Sequence, residues 1–131
     1  MDKKTSSLIK GYLGKSKEKL KVATRLFKTG NYEDSVSRAY YSVFHAAQAI
    51  LLSGGLTANT HQGLINLFGL HFIKTGKLNK KFGRFLAELK DDRERCDYEI
   101  YSTIGKEEAL QALKEAKEFL QGIQKYLSRI R

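Results

Sequence analysis

Apolar residues recur at intervals of three and four along most of the chain, and glycines divide them into five stretches. That spacing places each apolar set on one face of a helix. The first stretch runs from about Ser7 to Lys28, with Leu13, Ser16, Leu20, Ala23 and Phe27 on a common face. Gly30 is placed to end it in a left-handed cap, and Asn31 to cap the second helix, with Glu33 and Asp34 in its first turn. The second helix is expected to reach Leu52 and stop at Gly54-Gly55. A short third follows, roughly His61 to Ile73, closed by Gly76, and a fourth runs from about Asn79 to Tyr101. The fifth, Lys106 to Arg129, carries a heptad-like seam of Ala109, Leu113, Ala116, Leu120, Ile123, Leu127 and Ile130. No stretch alternates long enough to predict a strand. The expected fold is all-α, an up-and-down bundle of about five helices in a single domain spanning residues 1–131.

Gly30-Asn31-Tyr32-Glu33-Asp34-Ser35 followed by Ala39-Tyr40 echoes a tetratricopeptide unit. A solenoid needs that pattern again about every 34 residues, and it does not recur. With 131 residues and no proline, the chain can bury a core behind uninterrupted helices. No apolar run approaches the ~20 residues that span a bilayer, and the charged start has no signal-peptide core, so no membrane contact and a cytoplasmic location are expected. A single cysteine, Cys96, excludes an internal disulfide and a multi-cysteine zinc site.

Charge changes the picture more than composition does. The formal net charge is +10, and it is concentrated early. Nine basic residues precede Gly30, opposed only by Asp2 and Glu18. Such a field favours RNA or an acidic partner protein; the bland alternative is a solvated face that keeps the protein soluble.

Two helices carry residues that a plain bundle does not need. Beside the apolar stripe of the second helix (Val36, Ala39, Tyr40, Val43, Ala47, Ile50) runs a line of Arg38, Tyr41, His45 and Gln48. It suits either a satisfied internal network or the wall of a site. On the fourth helix, Phe82, Phe85, Leu86 and Leu89 form a stripe continued by Arg93, Asp97 and Tyr101. An arginine on an apolar stripe is costly to bury unless paired or facing a crevice, and Asp97 is the partner four residues on. An ion pair that merely braces the bundle is the alternative.

His45, His61 and His71 show no His-Glu-x-x-His spacing, so no metal is expected. Gly54-Gly55 lacks the phosphate-loop continuation, no serine or cysteine nucleophile signature is present, and no cofactor is expected. Any catalysis here would be of the general acid–base or electrostatic kind.

Arg38-Ala39-Tyr40-Tyr41-Ser42-Val43-Phe44-His45-Ala46-Ala47 resembles the Ala-Tyr-Tyr-x-x-Phe-His-Ala signature of one subfamily of HEPN domains. Thr60-His61-Gln62-Gly63-Leu64 is similar to its second motif, and Arg93-Glu94-Arg95-Cys96-Asp97-Tyr98 to its third. The three occur in family order. The resemblance implies a bundle of about five helices that often forms a homodimer, with a minimal nucleotidyltransferase as partner, sometimes as toxin and antitoxin. Catalytic members are metal-independent ribonucleases with an Arg-x4–6-His motif, in which the arginine steadies phosphate and the histidine serves as acid or base. Here no histidine follows either Arg93 or Arg95 at that distance; Tyr98, Glu99 and Ile100 stand where one would follow Arg93. The resemblance therefore points to a partner subunit that binds a nucleotide or RNA through Tyr41, His45, His61, Arg93, Asp97 and Tyr98. The alternative is a ribonuclease toxin with a divergent active site, using His45 or His61 in place of the motif histidine. A helical assembly protein with a purely structural polar line is a third reading.

Overall fold

The computed structural model describes residues 1–100 and 104–130, and its regular elements there are all helical. They are α1 (Lys3–Lys28), α2 (Tyr32–Ser53), α3 (His61–Phe68), α4 (Lys80–Tyr98) and α5 (Lys106–Arg129). The all-α bundle of five helices is as expected. Among the described residues, no helix is long and apolar enough to cross a membrane.

Helix α1 starts four residues before the expected Ser7, because the Asp2 carboxylate accepts the Thr5 N–H at 2.7 Å and caps it. Gly30 adopts φ of +80°, the left-handed conformation the sequence calls for. Asn31 stands at the start of α2 but makes no side-chain cap; its amide donates instead to the Thr29 hydroxyl at 2.7 Å. The third stretch is α-helical only as far as Phe68. Gly69–Ile73 widens into a π-helical turn, closed by the Lys74 N–H donating to the Gly69 carbonyl at 2.8 Å. The expected end of the fourth helix at Tyr101 lies outside the described residues; α4 ends at Tyr98. Helix α5 has the expected bounds, although Ile130, the last member of its seam, is 43% exposed.

Helix α2 is the hub. It contacts α1, α3, α4 and α5, and its predicted stripe from Val36 to Ile50 is fully buried. Small residues let α1 approach closely: Ser16 donates to the Ser42 carbonyl at 2.7 Å, and Ser42 donates back to the Ser16 carbonyl at 2.9 Å. Two turns away, Ser35 donates to the Ala23 carbonyl at 2.8 Å. These buried hydroxyls bond to the facing helix, so α1 and α2 are joined by polar contacts as well as by apolar area. Under the other face of α2, Phe68, Phe82, Phe85 and Phe119 form a ring cluster with centroids 5.5–6.1 Å apart.

Two glycines in helix interiors should respond oppositely to a methyl group. A Cβ on Gly11 meets nothing within 4 Å, whereas one on Gly122 would lie 2.5 Å from the Phe82 ring. Gly11→Ala is expected to stabilise the fold by about 0.5–1 kcal/mol. Gly122→Ala should destabilise it by about 1–3 kcal/mol through overpacking, despite its better helix propensity. Urea unfolding midpoints of the two variants check both signs.

Candidate functional site

The side chains that depart from a plain bundle meet where α2, the start of α3 and the last turns of α4 come together. On α2, Tyr40 points inward and is completely buried, while Tyr41, Phe44 and His45 lie at the edge of the core, half-buried. A buried phenol needs a hydrogen-bond partner. Tyr40 finds it in His61, whose Nδ1 lies 2.7 Å from the hydroxyl oxygen.

His61 is held there by the local structure of its own motif. Thr60 caps α3 by accepting the Gly63 N–H at 2.9 Å, which fixes His61 as the first helical residue. A Cβ at position 63 would sit 2.9 Å from that threonine hydroxyl, so the glycine follows from the tight cap. The His61 ring lies against Phe44 at 4.3 Å between centroids and edge-on to Tyr41 at 6.0 Å.

Arg93 reaches this cluster from α4. Its guanidinium carbon is 5.0 Å from the Tyr41 ring centroid and 5.8 Å from that of Tyr40. The aromatic faces compensate part of the loss of water around the cation. One nitrogen, Nη2, pairs with Asp97 at 3.3 Å. Its Nε is buried and has no hydrogen-bond partner. A buried donor of a charged group without an acceptor is uncommon in folded proteins. One turn back, Lys90 pairs with Glu94, and the charges of both reach His61.

The electrostatics favour neutral rings beside a fixed cation. Burial, then Arg93, then Lys90 push the His61 pKa below its ordinary value, with Glu94 opposing. Burial raises the Tyr40 pKa, so its hydroxyl keeps its proton. With Tyr40 donating to Nδ1, the neutral His61 ring carries its hydrogen on Nε2 and offers a donor. His45 is in the opposite state. Its Nδ1–H donates to Gln48 Oε1 at 2.8 Å, which leaves Nε2 with a free lone pair. Its pKa is lowered by burial, then by Lys15 and Lys19. Burial likewise pushes the Cys96 thiol up to about 11, which leaves it protonated at neutral pH.

The structure thus brings Tyr41, His61, Arg93 and Asp97 together. His45 joins them only through intervening rings, at 5.7 Å from Phe44 and 6.4 Å from Tyr41. Tyr98 is 82% exposed, on the outside of α4, and Arg38 is exposed as well. Three members of the assembly were not singled out from the sequence. Tyr12 of α1 stacks on His45 at 6.3 Å, and Phe44 and Tyr40 form the floor. Tyr40 and Phe44 lie inside the quoted motif and could have been found there; Tyr12 has no signal in its own helix. Among the described residues, no three His, Cys, Asp or Glu side chains come close enough to hold a metal ion.

The sequence profile of the HEPN domain matches residues 9–126. A Methanocaldococcus jannaschii protein named "Putative toxin MJ0605" is 36% identical over 115 residues, covering 88% of this chain and 85% of that protein. A Thermotoga maritima protein named "UPF0332 protein" is 31% identical over 120 residues, covering 92% and 91%. The crystal structure of TT1696 from Thermus thermophilus superposes with a TM-score of 0.77 over 90% of this chain and 97% of that one. At 16% identity that likeness shows the fold alone.

The two histidines give the site a pH signature. Both have folded pKa values lowered by burial and lysine or arginine charge, against about 6.5 in the unfolded chain. Between those values the unfolded state binds more protons, so stability rises with pH through that window. It should fall as pH drops from 7 towards 5 and level off where both states are protonated. A His45→Gln/His61→Gln variant should flatten this rise in urea midpoints. Subtracting the two profiles removes the contribution of Glu115, whose raised carboxyl acts in the opposite direction.

Proposed function

The chain belongs to the HEPN domain family, and on that premise we propose that it is the HEPN subunit of a toxin–antitoxin pair that binds the phosphate of a nucleotide or RNA at Arg93. In this reading residues 1–131 act as a single domain in the cytoplasm, form a homodimer and work with a minimal nucleotidyltransferase.

One observation carries the reading: the Arg93 guanidinium, on a side chain 26% exposed, is laid against two tyrosine faces and paired with Asp97 at 3.3 Å. A phosphate oxygen is the acceptor such a group is suited to, and the His61 Nε2–H would supply a second donor. Tyr41 and Phe44 add faces on which a base can stack. The name of the Methanocaldococcus relative supports the toxin context. Tyr98 and Ile100, 82% and 92% exposed at the end of α4, give a homodimer an apolar edge beside the site.

A second reading, a metal-independent ribonuclease with a divergent active site, is favoured by His45. Its free Nε2 and lowered pKa suit a general base at neutral pH.

Total RNA incubated in EDTA with the purified protein separates the two readings. Under the binding reading the RNA stays intact, and a fluorescent ribonucleotide binds with at least about tenfold loss in Arg93→Ala, the scale of one charge-assisted hydrogen bond. Cleavage by the wild type but not by Arg93→Ala assigns the ribonuclease instead. Equal binding by a correctly folded Arg93→Ala removes Arg93 from the site. Co-purification of a nucleotidyltransferase from the native host is expected, and recovery of the chain without one would sink the pairing.

A further inference from the structure

A concavity of about 480 Å³ lies away from this cluster, between α1 and α5. Shared lining residues join it to two others, so a continuous trough runs from Thr24 to Met1 along α1. Its walls carry Lys10, Lys17 and Lys21 from α1, and Lys114 and Lys117 from α5. No carboxylate lines any section. Five acids (Glu88, Asp92, Glu107, Glu108, Glu115) line the groove on the other side of α5, towards α4.

The lysines are in register with the packing of α1. Its three buried residues, Ile9, Ser16 and Ala23, recur every seventh position, and Lys3, Lys10 and Lys17 repeat at the same interval. Lys21 and Lys28 extend the row on the same side of the helix. The interval that seats α1 on the bundle therefore lines its outer edge with ammonium groups along the whole trough.

We infer that this trough is a second binding surface, separate from the Arg93 site, and that it takes the phosphodiester backbone of single-stranded RNA. The floor is apolar, with Ile9, Leu120 and Leu127 covered to 5–6% exposure and Leu13, Leu20 and Leu113 partly open, while the rim is lined by lysines. What the trough presents is positive charge, the complement of a polyphosphate chain. Gln124 and Ser128, beside the lysines, supply neutral hydrogen-bonding groups that a ribose 2′-hydroxyl can use.

Fluorescence anisotropy of a labelled 12-mer of uridine, titrated across a KCl series in EDTA, tests the inference. Lys17→Gln/Lys21→Gln/Lys114→Gln should weaken binding at least about tenfold and reduce the magnitude of the log–log salt slope by about 2, at ~0.7 per lost phosphate contact. Lys74→Gln/Lys77→Gln/Lys80→Gln, which removes the same charge from exposed positions off the trough, should leave the slope unchanged. The groove substitutions should weaken binding by the same factor in an Arg93→Ala background, so failure here is distinguishable from failure of the Arg93 site. Equal losses in both lysine variants would show a general field and overturn the inference. So would an unchanged groove variant, equal competition by polyglutamate, or equal binding of a deoxyuridine 12-mer. Circular dichroism of each variant excludes misfolding as the cause of a loss.

Discussion

A helix whose Val36, Ala39, Tyr40, Val43, Ala47 and Ile50 are all fully enclosed cannot rest on one neighbour, and the arrangement of the other four helices follows from covering α2. Helix α1 covers it through small residues and exchanged serine bonds; α5 and the phenylalanine cluster cover much of the rest. Burial on this scale is the main driving term for a chain of this size. It also decides where chemistry can stand. Tyr41 and Phe44 of α2 stand on the half-buried strip it shares with α3 and α4.

That strip couples the core to the site through one residue. Tyr40 is a core side chain by burial and a site residue by its hydroxyl, which orients the His61 ring. Arg93 ends the apolar stripe of α4 and lies against two tyrosines of α2, so its position depends on the same packing. The candidate site rests on core residues, the preorganisation that the proposed anion recognition calls for. The strained feature is also local: one buried guanidinium nitrogen without an acceptor.

Much of this was legible in the sequence, for definite reasons. Glycine punctuation and three-four spacing marked every helix, and the bounds of α5 follow directly from its seam. The π-helical turn after Phe68 was not legible, since a widened turn leaves no periodic trace in five residues. Asn31 looked like a cap, but a competing hydroxyl at Thr29 holds its amide. In the candidate site, Arg93 stood out because it breaks an apolar pattern, and the structure gives it Asp97 as expected. His45 and His61 looked equivalent in one dimension; only the fold separates them, through Tyr40 for one and Gln48 for the other. The lysine row of α1 was visible as charge, while its alignment along a trough depends on where α5 lies.

The serine exchange between α1 and α2 has a consequence for how such a protein can change over generations. Three serine hydroxyls, one of them bonded to the Ala23 carbonyl, anchor a 26-residue helix from the inside, using residues that never meet solvent. The opposite side of α1 is thereby relieved of structural duty. Mutational drift can add, remove or invert charge there without loosening the bundle, so selection is free to retune that surface for a new partner while the inherited scaffold stays fixed.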